Sequence, residues 1–413
     1  MRFEFPDVDQ ERNEMTELSE RLNTPISTAE LERRWQTVRA AMKERKIDVL
    51  VMQNNNDHMG GYVKYFTDLP AGNGYPNTVV FPREDRMTLV TQGPFDGAQG
   101  LPPSGDGVRR GIKQVLTTPS YASAHYTNAY DPALAATALT PFAKATIGLV
   151  CTYQMGLATG EYLKREFPNA HFVDATDMVD AIKAIKSAEE LELVRQTALM
   201  QDGAMKAAFD AIKPGMRDRD VAATAQFYSQ RCGSEQGIYL CASSPLGVPC
   251  KFGHRHTQNR VIREGDYVAL LVEDNGPGGF YTELGRTAVV GKAPQQMKDE
   301  LAFTLEARRF TLDMLKPGTP CAEIWHSYND FMCKNGRPEE ARLYCHGQGY
   351  DLVERPLVRR DEPMEIQKDM NIVVHPTYIH NGMLSWICDN YLIGSNGPGD
   401  RLHQFPETVI EVG

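Results

Sequence analysis

The chain has 413 residues, with 44 Lys and Arg against 54 Asp and Glu, a net charge of -10, 41% hydrophobic residues and 24% charged ones. That balance excludes a disordered, collagenous or small disulfide-stapled protein, and at about 150 residues per domain the length predicts two or three domains. An acidic chain is not built to coat phosphates, so nucleic acid is not an expected partner.

The opening MRFEFPDVDQERNEM lacks the apolar segment of a signal peptide. No run of about 18 apolar residues reads as a membrane span. The eight cysteines are scattered without a C-x-x-C pair, which points to reduced thiols and a cytoplasmic location. Residues 28–45 show helical spacing, with Leu31, Trp35, Val38 and Met42 on one stripe and Ser27 or Thr28 as the cap. DVLVMQ (48–53), NTVVFP (77–82), MTLVTQ (87–92) and ATIGLVC (145–151) read as buried strands. The polar stretch 93–142, rich in Gly, Pro, Ser and Tyr, reads as a long contact or functional loop. A boundary is expected near residue 185. There Ser187-x-x-Glu190 has the form of a capping box opening a long amphipathic helix that stops at Lys213-Pro214-Gly215.

The second half repeats itself. AIKPGMRDRDVAATAQFY, from Ala211, parallels MLKPGTPCAEIWHSYNDF, from Met314, with their Pro-Gly turns 103 residues apart. VIREGDYVALL, from Val261, parallels EIQKDMNIVVH, from Glu365. One helix–turn–helix–strand order repeated at a near-constant offset predicts internal pseudo-twofold symmetry, with a site between facing equivalent strands.

The segments IKSAEELELVRQTA, GHRHTQNRVIREGDYVAL, GGFYTELGRT, CHGQGYDLVERP, KDMNIVVHPTYI and ICDNYLIG resemble the creatinase/aminopeptidase-P/prolidase family. The resemblance implies a pita-bread α+β catalytic domain over 181–413, preceded by a creatinase-like α/β domain over 1–180. It also implies a homodimer acting on a small molecule. Family metallopeptidases hold two metals with two Asp, one His and two Glu. Here Glu283 stands in the second Asp slot, and counting back 11 positions reaches Val272, next to Glu273 and Asp274. His346 keeps the His slot, while His375 and Cys388 stand in the two Glu slots. A carboxylate can bridge two ions through its two oxygens, whereas a neutral imidazole offers one lone pair. A dinuclear hard-metal centre therefore loses most of its oxygen ligands.

The reading that follows is a hydrolase, in the logic of the family's creatinase branch. It cleaves a C–N bond of a ureido, guanidino, amide or betaine-like substrate and needs no cofactor. The catalytic candidates are His254, Glu283, His346, His375 and Cys388, and the substrate-binding candidates are Glu354, Glu273, Tyr281 and His256. His254 precedes Asn259-Arg260 by five residues, as in creatinase, and is the expected proton carrier because imidazole titrates near neutrality. His256 is expected on the opposite face of an extended segment, and Asp274 in solvent. Creatinase's substrate-binding Glu is Gly285 here, which argues against creatine itself. The alternatives are a single Zn or Fe ion held by Glu283, His346, His375 and Cys388, serving a hydrolase or a lyase, an Xaa-Pro dipeptidase-like metallopeptidase, and an inactive binding module.

Overall fold

The computed structural model describes residues 22–413 apart from 55, 57, 60, 71 and 73, so the expectation about a signal peptide lies outside the described residues. The chain forms two compact units. One comprises the described residues up to Asn56 with Tyr62–Thr176, and the other Asp177–Gly413 with the described part of the segment 57–61.

In the first unit, α1 (Thr28–Glu44) opens at Ser27, whose hydroxyl accepts the Glu30 N–H, and buries Leu31, Trp35, Val38 and Met42. A seven-stranded mixed sheet follows. Its strands are β1 (Val49–Asn54), β2 (Asn77–Pro82), β3 (Met87–Gln92), β4 (Gly97–Gly100), β5 (Ile112–Thr118), β6 (Thr146–Val150) and β7 (His171–Asp174), in the order β4-β5-β3-β2-β1-β6-β7. Helices α2 (Tyr62–Thr67), α3 (Tyr130–Leu139) and α4 (Leu157–Glu166) complete it. Val49, Val51, Val80, Ile147 and Leu149 pack against Leu139, Leu163 and Phe167. The expected loop 93–142 is not a single loop, because β4, β5 and α3 all fall inside it. β5 buries Ile112, Val115, Leu116 and Thr118 without strict alternation, so the period-two signal was missing.

The second unit begins with α5 (Thr176–Lys183), which straddles the division, and α6 (Ala188–Ala211), whose Ser187 and Glu190 form the expected capping box. Next come α7 (Asp218–Arg231), β8 (Gly237–Pro245), β9 (Asp266–Asn275) and β10 (Tyr281–Val290). The second copy of the plan is α8 (Gln295–Met314), α9 (Cys321–Lys334), β11 (Cys345–Gly347), β12 (Glu354–Leu357) and β13 (Asn371–Val374). A hairpin, β14 (Thr377–His380) with β15 (Met383–Trp386), precedes β16 (Asp389–Gly394), β17 (Gly397–Arg401) and β18 (Ile410–Val412). The two main sheets run β18-β10-β9-β8 and β12-β11-β13-β16-β17.

The repeat is visible bond by bond. Gly215 N–H donates to Ile262 O at 2.9 Å and Gly318 N–H to Ile366 O at 2.8 Å. Both glycines have positive φ, 96° and 91°, which a Cβ would oppose. Arg217 bridges Val261, and Pro320 bridges Glu365. The sheets meet where Gly285 and Cys388 exchange backbone hydrogen bonds of 3.1 and 3.2 Å.

Candidate active site

Strand alternation decides which side chains reach the space between the sheets. On β9, Val268, Leu270 and Val272 pack with Ala204, Phe209 and Val221 of α6 and α7. Leu271 and Glu273 face the other way and line a cavity of about 370 Å³. The first carboxylate slot of the family thus holds a core valine, while Glu273 stands directly opposite Glu283 of β10. β11 carries His346, and His375 follows the last residue of β13, its N–H donating to Tyr344 O at 2.8 Å.

Glu283, His346 and His375 each bring one donor atom, all within 4.8 Å of one another. His346 Nε2 lies 3.7 Å from Glu283 Oε2. The His346 and His375 rings are 5.3 Å apart at 67°. His346 Nδ1 lies 3.0 Å from Gly347 O. A carbonyl only accepts, so Nδ1 carries the proton and Nε2 turns its lone pair toward the centre.

Burial sets the charge state. It pushes the Glu283 carboxyl up to about 7. Burial and then repulsion from Glu283 push Glu273 well above the carboxylate range, against the Gln348 amide that donates to it at 2.9 Å. Desolvation pulls His346 down to about 4, and His375 further still with His346 beside it. Both imidazoles are neutral, as a metal ligand must be. Two imidazole nitrogens and one carboxylate oxygen fit a single borderline ion such as zinc or iron and leave coordination positions open.

The remaining expected site residues are placed elsewhere. Cys388 is fully buried, its Sγ donating to Glu283 O at 3.4 Å, and burial followed by Glu283 raises its thiol far above 9. It is outside the converging donor set and is not a thiolate. His254 and His256 are exposed and do not line the cavity. They were expected on opposite faces, but Arg255–Thr257 is a 3₁₀ turn, so their rings stack 5.9 Å apart. Tyr281 is buried on β10 and is not a lining residue; its backbone N–H donates to Gly349 O at 2.7 Å. Glu354 is buried between Lys186 at 3.0 Å and Lys183 at 3.2 Å, and the two ammonium groups overcome burial to hold it near 2. Asp274 is not in solvent: it is fully buried and takes hydrogen bonds from Gln201 at 2.6 Å and Tyr239 at 2.7 Å.

Gln348, Asn390, Trp386 and Arg342 are among the cavity and network residues that escaped the sequence reading. Gln348 is locked between Glu273 and Asn390, whose amide Nδ2 donates to it at 2.8 Å. Asn390 Oδ1 in turn accepts the Glu283 N–H at 2.8 Å. Trp386 and Arg342 line the cavity. The polar Gln348 between two glycines was the one visible signal.

Residues 192–397 match Metallopeptidase family M24. Through them the chain belongs to family M24. A Sinorhizobium fredii relative described as an uncharacterized hydrolase/peptidase, y4tM, is 30% identical over 193 residues, 46% of this chain and 49% of that protein. The chain thus spans about half the length of that relative. An Xaa-Pro dipeptidase of Pyrococcus horikoshii is 26% identical over 57% of this chain and 68% of its own length. The X-Pro aminopeptidase of Thermotoga maritima superposes with a TM-score of 0.74 at 17% identity, covering 92% of this chain and 99% of that one. The pita-bread fold of family M24 follows from that likeness. Among the described residues no helix is long and apolar enough to cross a membrane.

Proposed function

We propose that this M24 protein hydrolyses an amide-type C–N bond in a small polar molecule, at a centre for one metal ion rather than two. The observation that carries this is the convergence of Glu283, His346 and His375 within 4.8 Å in a cavity of about 370 Å³. It favours the single-ion alternative over a cofactor-free site. Such an ion, when bound, polarises a carbonyl and acidifies water.

The chain's own residues supply the rest. His346 and His375 hold neutral nitrogen lone pairs in place. Gln348 fixes one oxygen of Glu273, leaving the other to share a proton with Glu283. A carboxyl pair carrying one proton is suited to accept a proton from attacking water and return it to the departing amine. That role is assigned to the pair rather than to His254, which is exposed outside the cavity lining. Trp386, Phe252 and Leu271 make part of the wall apolar and strengthen polar contacts by excluding water.

The names of the dipeptidase relatives favour a second reading, cleavage of Xaa-Pro dipeptides. Against it stand Val272, Cys388 and His375 in three carboxylate slots. The test is ammonia or amine release from a panel of amides, ureido acids, guanidino compounds and Xaa-Pro dipeptides. Release from a non-peptide amide or urea, with Xaa-Pro dipeptides inert, is the expected result. Turnover of Xaa-Pro dipeptides alone refutes the proposal. The free cysteines support a cytoplasmic location, and a homodimer is part of the same proposal.

A further inference from the structure

The cavity has one cationic side chain in its lining, Arg342, among Glu273, Glu283 and Glu340 and a largely apolar wall. No hydrogen bond or ion pair to its guanidinium exists among the described residues. Glu340, the nearest acid in sequence, does not neutralise it by direct contact. Its Oε1 accepts the backbone N–H groups of Arg342 at 2.6 Å and Leu343 at 2.9 Å. Asn329 of α9 clamps the same loop, accepting the Glu340 N–H at 2.7 Å and donating to Glu340 O at 3.4 Å. The Arg342 backbone is therefore fixed, four residues before His346, while its side chain stays free. Glu273, Glu283, His346 and His375 line the same cavity as Arg342. Leu343 and Val353 are among the apolar side chains of the same lining.

We propose that Arg342 is the anion-binding end of the cavity and that the substrate is a small acid, its carboxylate on Arg342 and its C–N bond on a short chain reaching the Glu283–His346–His375 centre. The proposal rests on the hydrolase reading above and narrows its substrate class to those amide, ureido or guanidino compounds that carry a carboxylate. A planar guanidinium receives a carboxylate through two parallel N–H···O bonds, a geometry lysine cannot reproduce.

The test is calorimetric binding of three probes of one size to the purified full chain: N-acetyl-β-alanine, its uncharged amide, and N-acetyl-1,2-diaminoethane. The acid is expected to bind wild type at least about tenfold more tightly than the other two. Arg342→Met is expected to erase that preference and Arg342→Lys to keep part of it, with unchanged melting temperatures because the side chain is exposed. Equal binding of the three probes, no binding of the acid, or an acid preference that survives Arg342→Met overturns the proposal. The amine-release panel fails or succeeds separately: charge-blind hydrolysis sinks the anion site alone, and acid binding without any C–N cleavage sinks the hydrolase alone.

Discussion

Glu354, a substrate-binding candidate in sequence, is held in a buried ion-pair cluster. It sits near His346 in a glycine-rich segment, yet Lys183 and Lys186 enclose it and its Oε1 accepts the Tyr350 N–H at 2.8 Å. Lys183 also holds Asp351 at 3.0 Å, which accepts the Gly61 N–H. Removing one member of a buried pair strands the other charges, so Glu354→Gln is expected to cost about 3–5 kcal/mol in a denaturant titration. The native carboxyl is held near 2 against an ordinary 4.5. Its contribution is therefore fully present above pH 4.5 and lost as the pH falls toward 2. The difference in stability between wild type and variant should shrink over that window; a difference independent of pH would contradict the assignment. The family resemblance singled out Glu283, His346 and His375 as candidates because each occupies a slot in an ordered motif. It did not reveal the lysines, because Lys186 and Glu354 are 168 residues apart and their pairing exists only after folding.

At the scale of elements, β10 meets the residue before β16 where Gly285 pairs with Cys388. A Cβ on Gly285 would lie 2.2 Å from the Trp386 ring and 2.9 Å from Cys388 Cβ. Trp386 thus occupies the space that a longer residue at 285 would need. Gly285→Ala should destabilise by about 1–3 kcal/mol through overpacking, read as a lowered unfolding midpoint; an unchanged midpoint would show that this junction is looser than described. The elements legible in sequence were those with strong local signals. α1 and α6 have capping side chains and apolar stripes, and β2 and β3 are compact apolar runs bounded as expected. The strand β4, GAQG, is half glycine and exposed over most of its length, so neither propensity nor alternation marked it. The short 3₁₀ turn at Arg255–Thr257 likewise overrode the alternation that had separated His254 from His256.

At the scale of the whole molecule, the internal repeat explains why the site has its ingredients where it does. Each half contributes a helix–turn–helix and a sheet, and the sheets meet at Gly285 and Cys388. β10 of the first half supplies Glu283, and β11 and the end of β13 of the second supply His346 and His375. The same architecture that leaves room for two ions elsewhere in family M24 here converges one carboxylate, Glu283, and two neutral imidazoles, with Glu273 facing Glu283, Val272 turned into the core and Cys388 engaged by a backbone carbonyl. The most direct test is a calorimetric titration of chelator-treated protein with zinc and, anaerobically, with ferrous ion. One ion per chain should bind tightly, and His346→Ala with His375→Ala should abolish it. Two ions per chain, or one ion that binds the double variant equally well, would contradict the account.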